Sequence, residues 1–464
     1  PSDDNLIDNE SLPYEERIVK TLLKDNYRQF SLTRLSGITN IVYLVSVGRK
    51  EEESNREESE SQTVSVGDAL AEKFLSTRDE FKFILRIYGA LDKDLEQENL
   101  IVNYLSDKGL CAKIITGCDK YRIEEYLEDY LEVDNSIIQE NLEKVLFKLF
   151  QFNSYEILKY SFSNDMNSIR LSEPVSEIFK TQEIKNLTTL TPFNRELEVK
   201  DNYSPMYVLN KGNKAKIHME KVLESYYERE NHIMGHSKFL ASQYEERIQS
   251  LNKIKEWYLQ DLESDLNSFH NDSGLLVLCH NDLHRLNILY RNIQGEKDFK
   301  LLDFEFTKIG FFGVDIMNFL IEMSFHYSPS YTFTPFDMDK SYEIYEKYAW
   351  ILLGNIKERL SVKGRDSSLY IENAEYYASK EYFYKMIIFS SLFWLVGIFN
   401  LLPLDDMTLK EVMEKSSEIE KEREGESTKS NVFDDKFFEY VYYLTDRWSI
   451  VEKAKIGLES LRNN

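Results

Sequence analysis

Two runs, Phe30–Leu35 and Ile41–Val47, read as strands flanking the turn Ser36-Gly37-Ile38-Thr39-Asn40, and Glu80–Tyr88 (EFKFILRIY) alternates as a third. Before them, Glu15–Tyr27 has Ile18, Leu22 and Leu23 on one side, the pattern of an amphipathic helix, and Leu95–Leu105 reads as another helix. Past residue 127 helical periodicity dominates, with candidate helices at Ile137–Phe152, Ile217–Tyr227 and Leu240–Phe269. The short apolar run Leu275–Cys279 reads as a buried strand, and Asn287–Tyr290 as a second. A hairpin turn at Gln294–Lys297 then returns the chain through Phe299–Leu302, so that Asp303 stands at a strand end. Asp315, Asn318, Phe319 and Glu322 fall at i, i+3, i+4 and i+7, one face of a helix whose neighbours Ile316, Met317, Leu320 and Ile321 are apolar. Such a helix is expected to be buried. Its carboxylates then need partners, and a metal or a cationic substrate would supply them.

Met386–Leu404 is free of charged residues and just long enough to span a bilayer. Ser390, Ser391, Gly397, Asn400 and Pro403 dilute it, so a buried core helix is the better reading. Two charged, low-complexity runs, residues 50–62 (KEEESNREESESQ) and 415–430, read as solvated, disordered inserts. The polar, irregular stretch 153–213 has no assignable role, and no internal repeat is evident.

Composition narrows the class. A chain of 464 residues can bury a large core, and its 13% aromatic content with few Gly and Pro favours an ordered, mostly helical protein. A net charge of −24 argues against nucleic acid or an anionic membrane surface as partner. The three cysteines, Cys111, Cys118 and Cys279, form no CxxC, so neither a zinc ribbon nor a disulfide framework is indicated, and a reducing cytoplasm is the expected setting. The first ten residues, PSDDNLIDNE, are acidic and unlike a signal peptide.

The candidate chemistry lies between Cys279 and Glu322. An Asp (Asp282), an Asn five residues on (Asn287) and a second Asp (Asp303) are the polar parts of a kinase-type site. The first carboxylate can take or orient a hydroxyl proton; the Asn oxygen and the second carboxylate suit Mg²⁺, which prefers hard oxygen ligands. His280 and His284 also form an HxxxH spacing, but the zinc version needs a Glu beside the first His, on a helix. Asn281 stands there, in an expected loop, so His280 is read as shaping the loop of the catalytic set.

CHNDxxxxNIL, followed by LDFEF and a DIxNFxxE block, resembles the choline/ethanolamine kinase family. The resemblance implies an α+β, two-lobed, protein-kinase-like fold. A small N-terminal antiparallel sheet lobe (residues 1–124) would bind ATP, and a larger, mainly helical lobe (125–464) would carry catalysis and substrate. It further implies ATP and Mg²⁺ as cofactors, with Asp282 as base and Asn287 and Asp303 on the metal. Ser36, Gly37, Ile38, Thr39 and Asn40 resemble the nucleotide loop. Arg86, in ILRIYG, takes the place of the kinase strand lysine on the phosphates, with Glu98 as its partner. Tyr121–Leu127 resembles the hinge, where backbone groups of Glu125 and Leu127 would read adenine.

Choline offers a hydroxyl to phosphorylate and a trimethylammonium that cannot donate a hydrogen bond, so aromatic faces near carboxylates suit it. FEYVYYLTDRW resembles the family segment that assigns Phe438, Tyr440 and Tyr443 to the substrate pocket, with Arg447 as an anchor; Glu322, Tyr327 and Trp394 complete the set. Three departures bear on substrate choice: Gly397 where a second Trp is usual, Phe306 for a Tyr, and His284 for a Gln. The expectation is phosphorylation of choline, and of ethanolamine beside it, as the first step toward the corresponding phospholipids. Rival readings are an ethanolamine-preferring or related small-molecule phosphotransferase, and a non-enzymatic pseudokinase scaffold. No stable membrane insertion is expected, and oligomeric state is left open.

Overall fold

The computed structural model describes residues 12–23, 29–35, 40–48, 80–88, 95–153, 157–162, 169–171, 238–261, 275–327, 331–362, 374–401 and 432–463. Ser36 to Thr39, both charged inserts, the helix expected at Ile217–Tyr227, and nearly all of 153–213 lie outside the described residues.

The chain begins with α1 (Tyr14–Leu23), β1 (Gln29–Leu35), β2 (Ile41–Gly48), β3 (Glu80–Ile87) and α2 (Leu95–Asp107). β4 (Ile114–Gly117), β5 (Tyr121–Glu125), β6 (Leu131–Glu132), α3 (Asn135–Glu140) and α4 (Leu142–Asn153) follow. Then come β7 (Ile157–Phe162), β8 (Ile169–Leu171), α5 (Lys238–Gln260), β9 (Leu275–Cys279), β10 (Ile288–Ile293) and β11 (Glu296–Leu301). The remainder is β12 (Lys308–Phe311), α6 (Val314–Glu322), β13 (Phe325–His326), β14 (Thr332–Phe333), α7 (Met338–Val362), α8 (Ala374–Tyr377), α9 (Lys380–Leu401) and α10 (Val432–Asn463). This is the expected α+β class.

The chain sorts into two compact units, 1–133 with 286–305, and 134–285 with 306–464. The sequence divided it once, at 124/125. The β10–β11 hairpin joins the first unit because β10 pairs with β6 and the Leu301 N–H donates to the Leu110 carbonyl at 2.8 Å.

The first unit is built on an antiparallel sheet ordered β1-β2-β3-β5-β4. Period-two alternation gives it two unlike faces. Val45, Val47, Phe83, Leu85, Tyr121 and Ile123 form one, packed against Ile18, Val19 and Leu23 of α1. Each such aliphatic side chain contributes about 1.5–3 kcal/mol on full burial. The opposite face carries Arg86, Arg122 and Glu124, all buried.

In the second unit β9 lies between β7 and β12, and α6, α9 and α10 pack together. The helix expected over 137–152 is broken at Asn141, whose N–H and side-chain amide both turn back to the Ile137 carbonyl. Asp134 caps the first piece by accepting the Ile137 N–H at 2.8 Å. Among the described residues α9 alone is long and apolar enough to cross a membrane; 89% of that stretch is buried inside the protein, as a core helix is.

Candidate active site

The loop after β9 is held from behind by α6. Asp315, fully buried, accepts the backbone N–H of His280 on one carboxylate oxygen and that of Asn281 on the other, both at 2.8 Å. Asn153 adds a third donor at 2.7 Å, gives the Leu278 carbonyl a bond at 2.8 Å, and accepts from the Tyr348 hydroxyl. Burial raises the Asp315 carboxyl above its ordinary range, against the pull of these donors. Asn281 adopts φ 64°, a left-handed conformation that Asn tolerates better than most residues. Its side chain donates to the Phe306 carbonyl at 2.8 Å, and its own carbonyl accepts the Trp394 indole N–H at 2.8 Å. On the other side, the Leu283 carbonyl accepts from Asn318 at 3.2 Å. Asp282 thus stands between two pinned neighbours. Its own carboxylate lies 3.5 Å from His284 Nε2. The His280 ring is fully buried and packs on Phe152.

The face Asp315, Asn318, Phe319, Glu322 forms as expected, and its carboxylates have partners within the protein. Glu322 Oε1 accepts from Arg447 Nη1 at 2.6 Å and from the Tyr443 hydroxyl at 2.8 Å, and Oε2 accepts from the Tyr327 hydroxyl at 2.7 Å. Arg447, fully buried, also donates to Asn318 at 2.6 Å and contacts Ser390. The resemblance marked Arg447 as an anchor, but its partner Glu322, 125 residues away in the chain, was not legible in the sequence. Arg447→Met should therefore cost about 3–5 kcal/mol, since it strands a buried carboxylate. Urea denaturation checks this; a loss below about 1 kcal/mol, the scale of an exposed pair, would contradict it.

Aromatic rings surround Glu322. Phe325 lies 4.8 Å from Tyr443 and 6.5 Å from Tyr327, centroid to centroid, and Tyr331 packs on both Phe325 and Tyr327 at 6.2 Å. Sequence reading missed Tyr331, which no motif marked. Burial pushes the Tyr443 phenol well up; Arg447 opposes this, while Glu322 and Asp282 add to it. The candidate base and the aromatic set therefore share one electrostatic neighbourhood. Trp394 packs edge-on to Phe306. Tyr440 is half-buried, and the Phe438 side chain lies outside the described residues.

The candidate metal and nucleotide residues belong to the first unit. The Leu302 N–H donates to the Asn287 carbonyl at 2.9 Å, which sets Asn287 one residue from Asp303 across the base of the hairpin. Asp303 adopts φ 61° and accepts from Arg86 Nη1 on Oδ1 at 3.2 Å. Two hard oxygen groups, one partly exposed, fit Mg²⁺, which binds through one or two carboxylates and retains waters and substrate phosphates. Asn40 donates to Glu305 at 2.9 Å. The Glu125 N–H is engaged by the Lys113 carbonyl at 2.8 Å, and the Leu127 carbonyl accepts the Tyr130 N–H at 3.3 Å.

The expected Arg86–Glu98 pair is replaced by another arrangement. Arg86 Nε donates to Glu124 at 2.8 Å, whereas Glu98 accepts from Arg122 Nη1 at 2.7 Å. The register explains this: Arg86 and Arg122 are direct cross-strand partners, and Glu124 lies two residues from Arg122 on the same face. Burial alone would raise the Glu124 carboxyl, but Arg86 and Arg122 hold it down at about 2.

An antiparallel sheet followed by a strand, an HND loop, a hairpin and a buried helix carrying two carboxylates is the protein-kinase-like fold. The family model described as choline/ethanolamine kinase matches residues 33–402, and the chain belongs to that family. It is a small-molecule kinase and uses a nucleotide. Comparison with curated proteins finds no sequence match. Among solved structures, a choline kinase from Cryptosporidium parvum Iowa II is 14% identical, with TM-score 0.48 and coverage of 96% of this chain and 97% of that one. A Plasmodium vivax ethanolamine kinase is 15% identical, with TM-score 0.47 and coverage of 96% and 90%. Choline kinase LicA from Streptococcus pneumoniae is 14% identical, with TM-score 0.40 and coverage of 97% and 100%.

Proposed function

We propose that the chain transfers the γ-phosphoryl group of ATP to the hydroxyl of choline, and less efficiently to that of ethanolamine. Asp282 takes the hydroxyl proton as the substrate oxygen bonds to phosphorus. The bond from phosphorus to the β,γ-bridging oxygen breaks, and ADP leaves. Asn287 and Asp303 would hold Mg²⁺, which would supply positive charge against the phosphates. Arg86 contributes its guanidinium to the same phosphates. Asn40, with Ser36 to Thr39, is assigned to the same phosphates by the resemblance of this segment to the family's nucleotide loop, and the Glu125 carbonyl and Leu127 N–H are assigned to adenine. The product is a phosphomonoester suited to phospholipid synthesis, made in the reducing cytoplasm that three unpaired cysteines fit.

One observation carries the choice of choline: Glu322 already accepts three hydrogen bonds, from Arg447, Tyr443 and Tyr327. A primary ammonium would compete with those donors, whereas a trimethylammonium needs only aromatic faces and a nearby field. Measured side by side, kcat/KM should favour choline; an equal or higher value for ethanolamine would overturn the preference.

Gly397 limits that margin. Among the described residues a Cβ at this position would meet only the Trp394 ring within 4 Å, at 3.6 Å, an ordinary contact. Gly397→Trp is expected to raise the choline-to-ethanolamine ratio about two- to thirtyfold, the worth of one cation–π face. An unchanged ratio in a folded variant means that Gly397 does not line the pocket.

A further inference from the structure

Two like charges directly opposite one another in a sheet repel, and two buried guanidiniums need anionic partners. Arg86 and Arg122 are such a pair. Their Nε atoms converge on a single oxygen, Glu124 Oε1, at 2.8 and 2.6 Å. Each guanidinium then turns its Nη1 to a different carboxylate. Arg122 reaches Glu98 on α2 at 2.7 Å, with Asn99 at 3.2 Å, and Arg86 reaches Asp303 at 3.2 Å. The result is a buried relay from α2 through β5 and β3 to Asp303. The side chains of Arg122 and Glu98 are 2% and 5% exposed, so water does little to screen it.

We propose that Arg122 is a positioning residue for Arg86: by sharing the Glu124 oxygen it keeps that carboxylate from neutralising Arg86, whose charge stays directed toward Asp303 and the nucleotide phosphates. This rests on the reading of Arg86 as a phosphate partner. A one-to-one Arg86–Glu124 pair would satisfy both groups and withdraw the guanidinium from the nucleotide. With Arg122 present, Glu124 divides its interaction between two cations, and Arg86 remains electropositive. Glu98 acts in the opposite sense, because it competes with Glu124 for Arg122.

The test is equilibrium binding of ATP with Mg²⁺ to the full chain, beside the KM for the amino alcohol. Arg122→Met should weaken ATP binding about tenfold, the scale of one charge-assisted hydrogen bond, and leave the amino-alcohol KM unchanged. Adding Glu124→Gln to it should recover most of the loss, which a merely structural role would not produce. Glu98→Gln, nearly isosteric and serving if Arg122→Met does not fold, should instead tighten ATP binding. Wild-type affinity in folded Arg122→Met, a further loss in the double variant, or weakening by Glu98→Gln would each overturn the relay. Arg86→Gln separates the two levels of the account. If it leaves ATP binding intact, the phosphate reading falls and the relay with it; if it weakens binding while Arg122→Met does not, only the relay falls.

Discussion

Replacing Asp282 with Asn is expected to lower kcat by about 10² to 10⁴, the usual worth of a positioned general base, while ATP binds nearly as well as before. The expectation follows from how the loop is built. The residues on either side of Asp282 have their carbonyls pinned, Asn281 by Trp394 and Leu283 by Asn318, and Asn281 is further held by Asp315. That much anchoring suits a side chain that must be delivered to one place. Because Asn is isosteric with Asp and the loop backbone is held through Asn281 and Leu283, the variant should fold. Near-normal turnover in Asp282→Asn would remove the base from this position.

Loss of Asp303 should cost at least as much. Removing a metal-holding carboxylate forfeits several kcal/mol of charge stabilisation, so the rate should fall by about 10³ or more. The choice of substitution matters. Asp303 sits at φ 61°, where Ala carries a backbone cost of about 1–2 kcal/mol that Asn largely avoids. Asp303→Asn is therefore the cleaner variant, with circular dichroism to verify the fold. Retained activity, or a wild-type rate indifferent to Mg²⁺, would put the metal elsewhere.

Local pattern carried most of the fold and much of the candidate site. The strand Leu275–Cys279 was readable as a short apolar run and the two-turn face of α6 from period 3.6, because both are properties of neighbouring residues. What could not be read depends on register and long-range pairing. Arg86 was assigned to Glu98 by chain order along the kinase pattern, yet strand register put Arg122 opposite it and Glu124 within reach. The buried carboxylates of α6 called for partners, and the sequence offered no means of choosing Arg447 over a ligand. Asn153 was placed at the start of the irregular stretch, one residue past the expected helix, whereas it ends α4 and makes buried hydrogen bonds. The break at Asn141 was missed because a hydrophobic stripe continues on both sides of it.

The most direct test of the account is the product itself. The purified 464-residue chain, incubated with ATP, Mg²⁺ and either choline or ethanolamine, would be followed by phosphorus NMR alongside ADP release. The account predicts one phosphomonoester per ADP, formed only when an amino alcohol is present and faster with choline. Nucleotide binding without a phosphorylated product from either alcohol would contradict it and leave the chain a kinase fold without this activity.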